Sequence, residues 1–133
     1  MGLTTTKLVI VNPRKPDLQP IEVDALADTG ALFLCIPEPV RIQLGLETIE
    51  TKVVTLADNS TKSVPYVGPV ELRFKNRTGF VGAIVLGDQV LLGAIPMEDM
   101  DLVVIPKTRT VDINPAFPNF AHAIVKSFFM PTA

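Results

Sequence analysis

Few residues in this chain can do covalent or acid–base chemistry, and their types narrow what that chemistry is. Asp28 follows the apolar pair Leu26-Ala27 and precedes Thr29 and Gly30. A carboxylate at the end of an apolar strand can take a proton from water. Beside it, a hydroxyl offers a hydrogen bond and a glycine lets backbone approach closely. Burial at a strand end raises a carboxyl's pKa unless such bonds hold the charge. Asp-Thr-Gly is also an ordinary turn sequence. The run Ala31-Leu32-Phe33-Leu34 behind it sets it apart, because it brackets the turn with candidate core residues on both sides.

The remaining candidates are weaker. Cys35 is the single cysteine, lies in an apolar run and has no histidine near it in sequence, so it reads as a buried structural thiol. His122 is the only histidine, which excludes a histidine-based metal cluster and leaves a packing or surface role. Glu98, Asp99 and Asp101 lack the alternating Asp/Asn ladder of a calcium loop and read as a solvated face. No phosphate-cradling or dinucleotide-binding glycine pattern is present. Neither a metal nor a cofactor is expected.

The elements that must position Asp28 are short β-type runs between turns. Lys7 to Val11 and Ile21 to Ala27 read as paired strands, and Leu32 to Ile36 as a third. Glu38 to Leu44 has room for one helical turn before Gly45. Lys52 to Leu56 and Lys62 to Val67 flank the polar tip Asp58-Asn59-Ser60-Thr61, a β-hairpin pattern. A second hairpin is predicted around Asn76-Arg77-Thr78-Gly79, between Val70 to Lys75 and Phe80 to Leu86. Val90 to Leu92 is a short buried strand ending at Gly93, and Pro96 opens a helix through Met100. Leu102 to Ile105 is one more strand. The tail from Asn114 carries Pro115, Pro118 and Pro131, and Phe120 to Phe129 has the spacing of a helix with one apolar face. Many short strands and one short helix define an all-β barrel or sandwich.

Composition fits one folded domain. The chain has 133 residues, of which 47% are hydrophobic and 20% charged, too apolar for a disordered segment. A net charge of −2 without basic clusters gives no attraction to phosphate backbones, so nucleic acid is not an expected partner. The apolar runs are too short to span a bilayer or form a secretory leader. A lone cysteine fits a reducing, cytoplasmic compartment.

Asp28-Thr29-Gly30-Ala31 resembles the active-site motif of the retropepsin-like aspartic proteases. Leu91-Leu92-Gly93 resembles the family's second signature, two apolar residues and a glycine ahead of a short helix. Asp58 lies 30 residues after Asp28, about where the family places its flap, and Gly93 lies 65 residues after it. The runs VTLADNSTKSVPYVGPVELRF and VLLGAIPMEDMDLVV are similar to small single-domain prokaryotic members. The resemblance covers roughly residues 5 to 113. It implies a closed acid-protease barrel with one short helix and one lobe per chain, over residues 1–113, followed by a tail at 114–133.

The same resemblance implies an aspartic endopeptidase cutting extended peptides at mildly acidic to neutral pH. Its water would be activated between the Asp28 carboxyls of a homodimer, because the chain holds no second Asp-Ser/Thr-Gly. Thr29 and Gly30 would support the aspartates. Gly30, Ala31 and Leu32 would line the cleft, and Ala57, Asp58, Asn59 and Ser60 would close over substrate. Leu91, Leu92 and Gly93 would pack behind the active-site loop. Leu32-Phe33 stands where many relatives carry polar residues, which implies a more apolar cleft wall. Asp58 and Asn59 replace the glycines of viral flaps. The alternative is a catalytically silent module of the same fold that dimerises or holds a peptide.

Overall fold

The computed structural model describes residues 4–126. Nine strands and two short helices follow one another in the order βββαββββαββ. The first strand, β1 (Thr4–Val11), folds back antiparallel on β2 (Ile21–Ala27), with Leu8 opposite Val23 and Ile10 opposite Ile21. Leu8 and Ile10 alternate with more exposed residues, so one face of β1 enters the core, as a period of two requires.

Strand β2 runs parallel to β7 (Val90–Leu92), which in turn lies antiparallel to β3 (Leu34–Ile36) at Cys35 and Leu91. Strand β3 is parallel to β6 (Arg77–Val85), and β6 pairs antiparallel with the long β5 (Thr61–Phe74). Pairing of β5 back onto β1 closes these six strands into a barrel. Closure satisfies backbone groups that an open sheet leaves at its edges. Strand β4 (Thr48–Thr55) pairs with β5 alone and stands at the end of the sheet. A separate two-stranded sheet holds β8 (Leu102–Ile105) and β9 (Thr110–Ile113).

The core gathers Leu8, Ile10, Leu34, Ile36, Leu72 and Leu92 inside the barrel, with Met97 and Met100 packed against it. Each buried Leu or Ile contributes roughly 2 kcal/mol through apolar area removed from water. Among the described residues, no helix is long and apolar enough to cross a membrane.

Several sequence expectations change. Two helices form: α1 (Glu38–Gln43), ended by Gly45 as the sequence predicts, and α2 (Ala94–Asp99). The second begins two residues before Pro96, because the N–H groups of Ala94 and Ile95 are taken by Ala31 and Leu32 carbonyls, at 2.8 and 2.9 Å. Those bonds satisfy orphan donors that otherwise set a helix start, and Pro96 has none to satisfy. The second hairpin turns at Lys75-Asn76, where Lys75 takes φ 49°, and not over Asn76 to Gly79. Arg77 is already in β6 and only 2% exposed. Strand β9 is an addition. No helix forms over residues 120–126, and the rest of that expected helix lies outside the described residues.

Candidate active site

Asp28 stands one residue past the end of β2, and two backbone bonds and one to its side chain fix that position. Its N–H donates to the Leu92 carbonyl at 3.0 Å, extending the β2–β7 pairing by one step. Its carbonyl accepts from Ala31 N–H at 3.1 Å, closing a four-residue turn. Its Oδ1 accepts from Gly30 N–H at 2.9 Å, which aims the carboxylate along the turn. Asp and Gly favour such turns because the side chain can bond its own backbone two residues on. The second oxygen, Oδ2, accepts no hydrogen bond among the described residues.

Gly93 locks this turn to the rest of the molecule. A Cβ there would fall 2.3 Å from the Phe33 carbonyl oxygen, 2.8 Å from the Leu32 carbonyl carbon and 2.9 Å from the Ala31 oxygen. These are backbone atoms with little freedom to yield. Only glycine lets the start of α2 approach closely enough for the bonds from Ala94 and Ile95. The second apolar-apolar-glycine motif thus clamps the segment after Asp28 from behind.

In front of Asp28 opens a cleft of about 580 Å³. Asp28, Gly30, Ala31, Leu32 and Ala57 line it, five of the residues expected at the site. Thr29, Asp58, Asn59 and Ser60 do not line it and are exposed. Phe33, which with Leu32 implied an apolar cleft wall, does line it; sequence reasoning missed Cys35, Val53, Val54, Ile84 and Leu86, and it placed Leu91 behind the loop, whereas Leu91 also reaches the wall. Alternation along β4 and β6 was the available signal, since it gives each strand a second face. Among the described residues, Asp28 is the only carboxylate on the wall, and the other lining side chains are apolar except Thr55.

The burial expected for Asp28 is not met within the single chain, where the residue is exposed. The turn carries its side chain past the barrel end into the mouth of the cleft. Leu32 is likewise 56% exposed, although the apolar run predicted core packing, and burial resumes only at Leu34.

The hairpin tip beside the cleft is built by its own polar groups. Asn59 N–H donates to Leu56 O at 2.9 Å and Leu56 N–H to Ser60 O at 2.8 Å. Asn59 takes φ 67°, a left-handed position that Asn tolerates better than most residues. Asp58 Oδ1 accepts from both the backbone N–H and the hydroxyl of Ser60, and these bonds hold its carboxyl below the usual range. Asp58 therefore caps the tip and does not reach the cleft.

Cys35 is half-buried on the cleft wall. Burial, with a smaller contribution from the Asp28 charge, pushes its thiol up to about 11, so it stays protonated and unreactive near neutrality. Asp101, which does not line the cleft, does more than solvate a surface. Its Oδ2 accepts from His122 N–H at 2.9 Å and its Oδ1 from the Asn114 amide at 3.1 Å. Phe117 and His122 stack at 3.9 Å, and Arg77 Nη2 donates to the Phe117 carbonyl. Residues 114–122 are thereby tied to their own chain through Arg77 and Asp101, neither of which lines the cleft.

A comparison with protein-family models finds no match for this chain, and a comparison with curated proteins finds none either.

Proposed function

We propose that the chain is one half of a retropepsin-like aspartic endopeptidase, working as a homodimer in a reducing, cytoplasmic compartment. The supporting observation is Asp28 itself. Its backbone is pinned by Leu92 and Ala31, one carboxylate oxygen is held by Gly30, and the other is free at the mouth of an apolar cleft.

A single carboxylate cannot serve as base and acid in the same step. Two Asp28 side chains meeting at a twofold axis share one proton, because like charges at close range do not both ionise cheaply. The ionised member takes a proton from a water while the water oxygen bonds to the peptide carbonyl carbon. The protonated member donates to the carbonyl oxygen, giving a neutral tetrahedral diol. As the diol collapses, the C–N bond breaks, one diol proton returns to a carboxylate, and the other carboxyl protonates the amine. The pair titrates as a unit.

Thr29 is exposed and has no hydrogen-bond partner among the described residues, which leaves its hydroxyl available to bond across the proposed axis and orient the aspartates. Gly30, Ala31 and Leu32 contact the substrate backbone. The hairpin carrying Ala57, Asp58, Asn59 and Ser60 closes over an extended peptide, which adds to a strand edge. A second reading, peptide binding without cleavage, is favoured by one fact: among the described residues, Asp28 is the only carboxylate on the cleft wall.

Wild type, Asp28→Asn and mixtures of the two decide between these readings. The assay follows cleavage of a mixed peptide library, with oligomeric state measured alongside. The proposal expects dimers, activity that rises more steeply than chain concentration, no cleavage by Asp28→Asn, and suppression of wild type by excess Asp28→Asn. Cleavage surviving in pure Asp28→Asn refutes it. A dimer that binds but cuts no peptide establishes the second reading.

A further inference from the structure

A second hollow, of about 460 Å³, lies beside the cleft and shares Phe33 with it as a common wall. Its floor is aromatic. The phenol end of Tyr66 occupies the space over Gly82 in β6, where a Cβ would come within 2.1 Å of it. Phe33 meets Tyr66 edge to face at 6.0 Å. Lys52 Nζ sits 4.7 Å from the Tyr66 ring centre and 5.5 Å from that of Phe33, tied to Glu50 at 2.7 Å. The rim holds apolar side chains left in water: Ile49 at 59%, Phe80 at 60% and Ile95 at 39% exposure. Arg14 is the only charged residue on the lining, and it makes no ion pair among the described residues.

Strand β4 connects the two spaces. It pairs with β5 alone, so its other edge carries unpaired N–H and C=O groups. Ile49 from β4 lines the second hollow, and Val53, Val54 and Thr55 line the cleft. An extended chain advances about 3.4 Å per residue, so Ile49 and Val54 stand about 17 Å apart along this edge. A peptide added to β4 within the cleft therefore runs on into the hollow.

We infer that the hollow is a distal substrate subsite. It receives a bulky apolar side chain, aromatic by preference, from the same extended peptide about four to six residues from the scissile bond. An acidic residue beside that side chain faces Arg14. This rests on the peptidase reading above and names the substrate class more closely. The aromatic floor suits edge contact with an apolar ring, the exposed rim gains by losing contact with water, and the unpaired guanidinium favours a carboxylate.

Two decapeptide libraries test this, each randomised over apolar residues in its core. One carries Phe-Glu at an end and the other Ser-Ser there, with each end tried in turn. Neither contains Tyr or Trp. Tyr66 is the only tyrosine and the chain has no tryptophan, so its emission reports on the hollow directly. Wild type should cleave the Phe-Glu library about tenfold better in kcat/KM. The Asp28→Asn chain should show a saturable change in Tyr66 emission with that library alone. Phe80→Glu, at an exposed position, should erase the preference while cleavage of the Ser-Ser library persists, and Arg14→Glu should transfer it to Phe-Lys peptides.

Equal cleavage of both libraries overturns the subsite and leaves the peptidase reading intact. Binding of Phe-Glu peptides with a Tyr66 response, but no cleavage by wild type, keeps the subsite and overturns catalysis. Dissociation of a wild-type dimer by Phe80→Glu shows that a second copy covers the hollow, and the inference falls. Absence of both binding and cleavage ends both.

Discussion

Gly93→Ala is the sharpest probe of how the molecule holds Asp28. The added methyl would overlap three backbone atoms, the nearest at 2.3 Å, where real Cβ contacts do not fall below about 3 Å. Relief requires moving β7 and the start of α2 away from residues 31–33 by several tenths of an ångström or more. The bonds from Ala94 N–H to Ala31 O and from Ile95 N–H to Leu32 O then stretch beyond useful length. Two backbone hydrogen bonds are worth about 1 kcal/mol each net, and displacing packed neighbours adds a similar amount. A loss of roughly 2–4 kcal/mol is expected, a large share of the stability of a domain this size.

Gly87→Ala supplies the control. Gly87 has φ 77° and nothing within 4 Å of where the new methyl would sit, so its cost is backbone strain alone, about 1 kcal/mol. Guanidinium unfolding of both variants and wild type measures the difference. Gly93→Ala should shift the midpoint by at least twice as much as Gly87→Ala, with unchanged slope. Equal shifts would refute the reasoning, because they would mean the turn after Asp28 can retreat from α2 freely. Any folded Gly93→Ala should also lose hydrogen-exchange protection at Ala94 and Ile95 first.

Other regions give further tests. Arg77 is 2% exposed, its Nε and Nη1 have no partner among the described residues, and Nη2 reaches the Phe117 carbonyl. Arg77→Met should therefore cost no more than about 1 kcal/mol of global stability while freeing residues 114–122, read by hydrogen exchange, because a buried guanidinium with few partners is itself costly. Asp101 is held below its ordinary range mainly by the His122 N–H, then by the Asn114 amide. A depressed carboxyl stabilises above its unfolded pKa and loses that contribution as pH falls. The Phe117–His122 stack should accordingly come apart in acid, below about pH 4, and Asp101→Asn should weaken it at neutral pH, both seen in His122 NMR shifts. Cys35 runs the other way. Its thiol is raised from 9.0 to about 11, so the folded chain keeps a proton that the unfolded chain releases, and stability should fall as pH rises through that interval. Alkylation of Cys35 at pH 8 should lag far behind that of the unfolded chain.

Much of the barrel was legible because its determinants are local. Lys7 to Val11 and Ile21 to Ala27 announce themselves by β-branched residues and the turn between them, and they pair as that pattern implies. The tip at Asp58 is equally readable, since Asp, Asn and Ser supply their own hydrogen bonds. Arg77 was not legible as a strand residue. A charge beside Asn and Gly reads as a turn, and only the distant Phe117 carbonyl gives a reason to bury it. Leu32 misled in the opposite direction, because an apolar type does not reveal whether its partner atoms lie within the same chain. The second hollow escaped entirely, being assembled from Arg14, Phe33, Ile49, Tyr66 and Phe80, which share no local pattern.

Asp28 joins these two kinds of information. Its main chain is fixed at both ends: Leu92 takes the N–H, Ala31 the carbonyl, and Gly93 blocks retreat. Its side chain is held at one oxygen by Gly30 and left free at the other, with Thr29 and Leu32 exposed beside it and, among the described residues, no second carboxylate on the cleft wall. A turn kept only for folding has no need of so rigid a frame around a free carboxylate. A rigid frame does serve a group that must meet a second charge at close range, where a displacement of about 1 Å costs orders of magnitude in rate. The peptidase proposal accounts for both halves of that asymmetry, and it locates the missing half of the site on another copy of the chain.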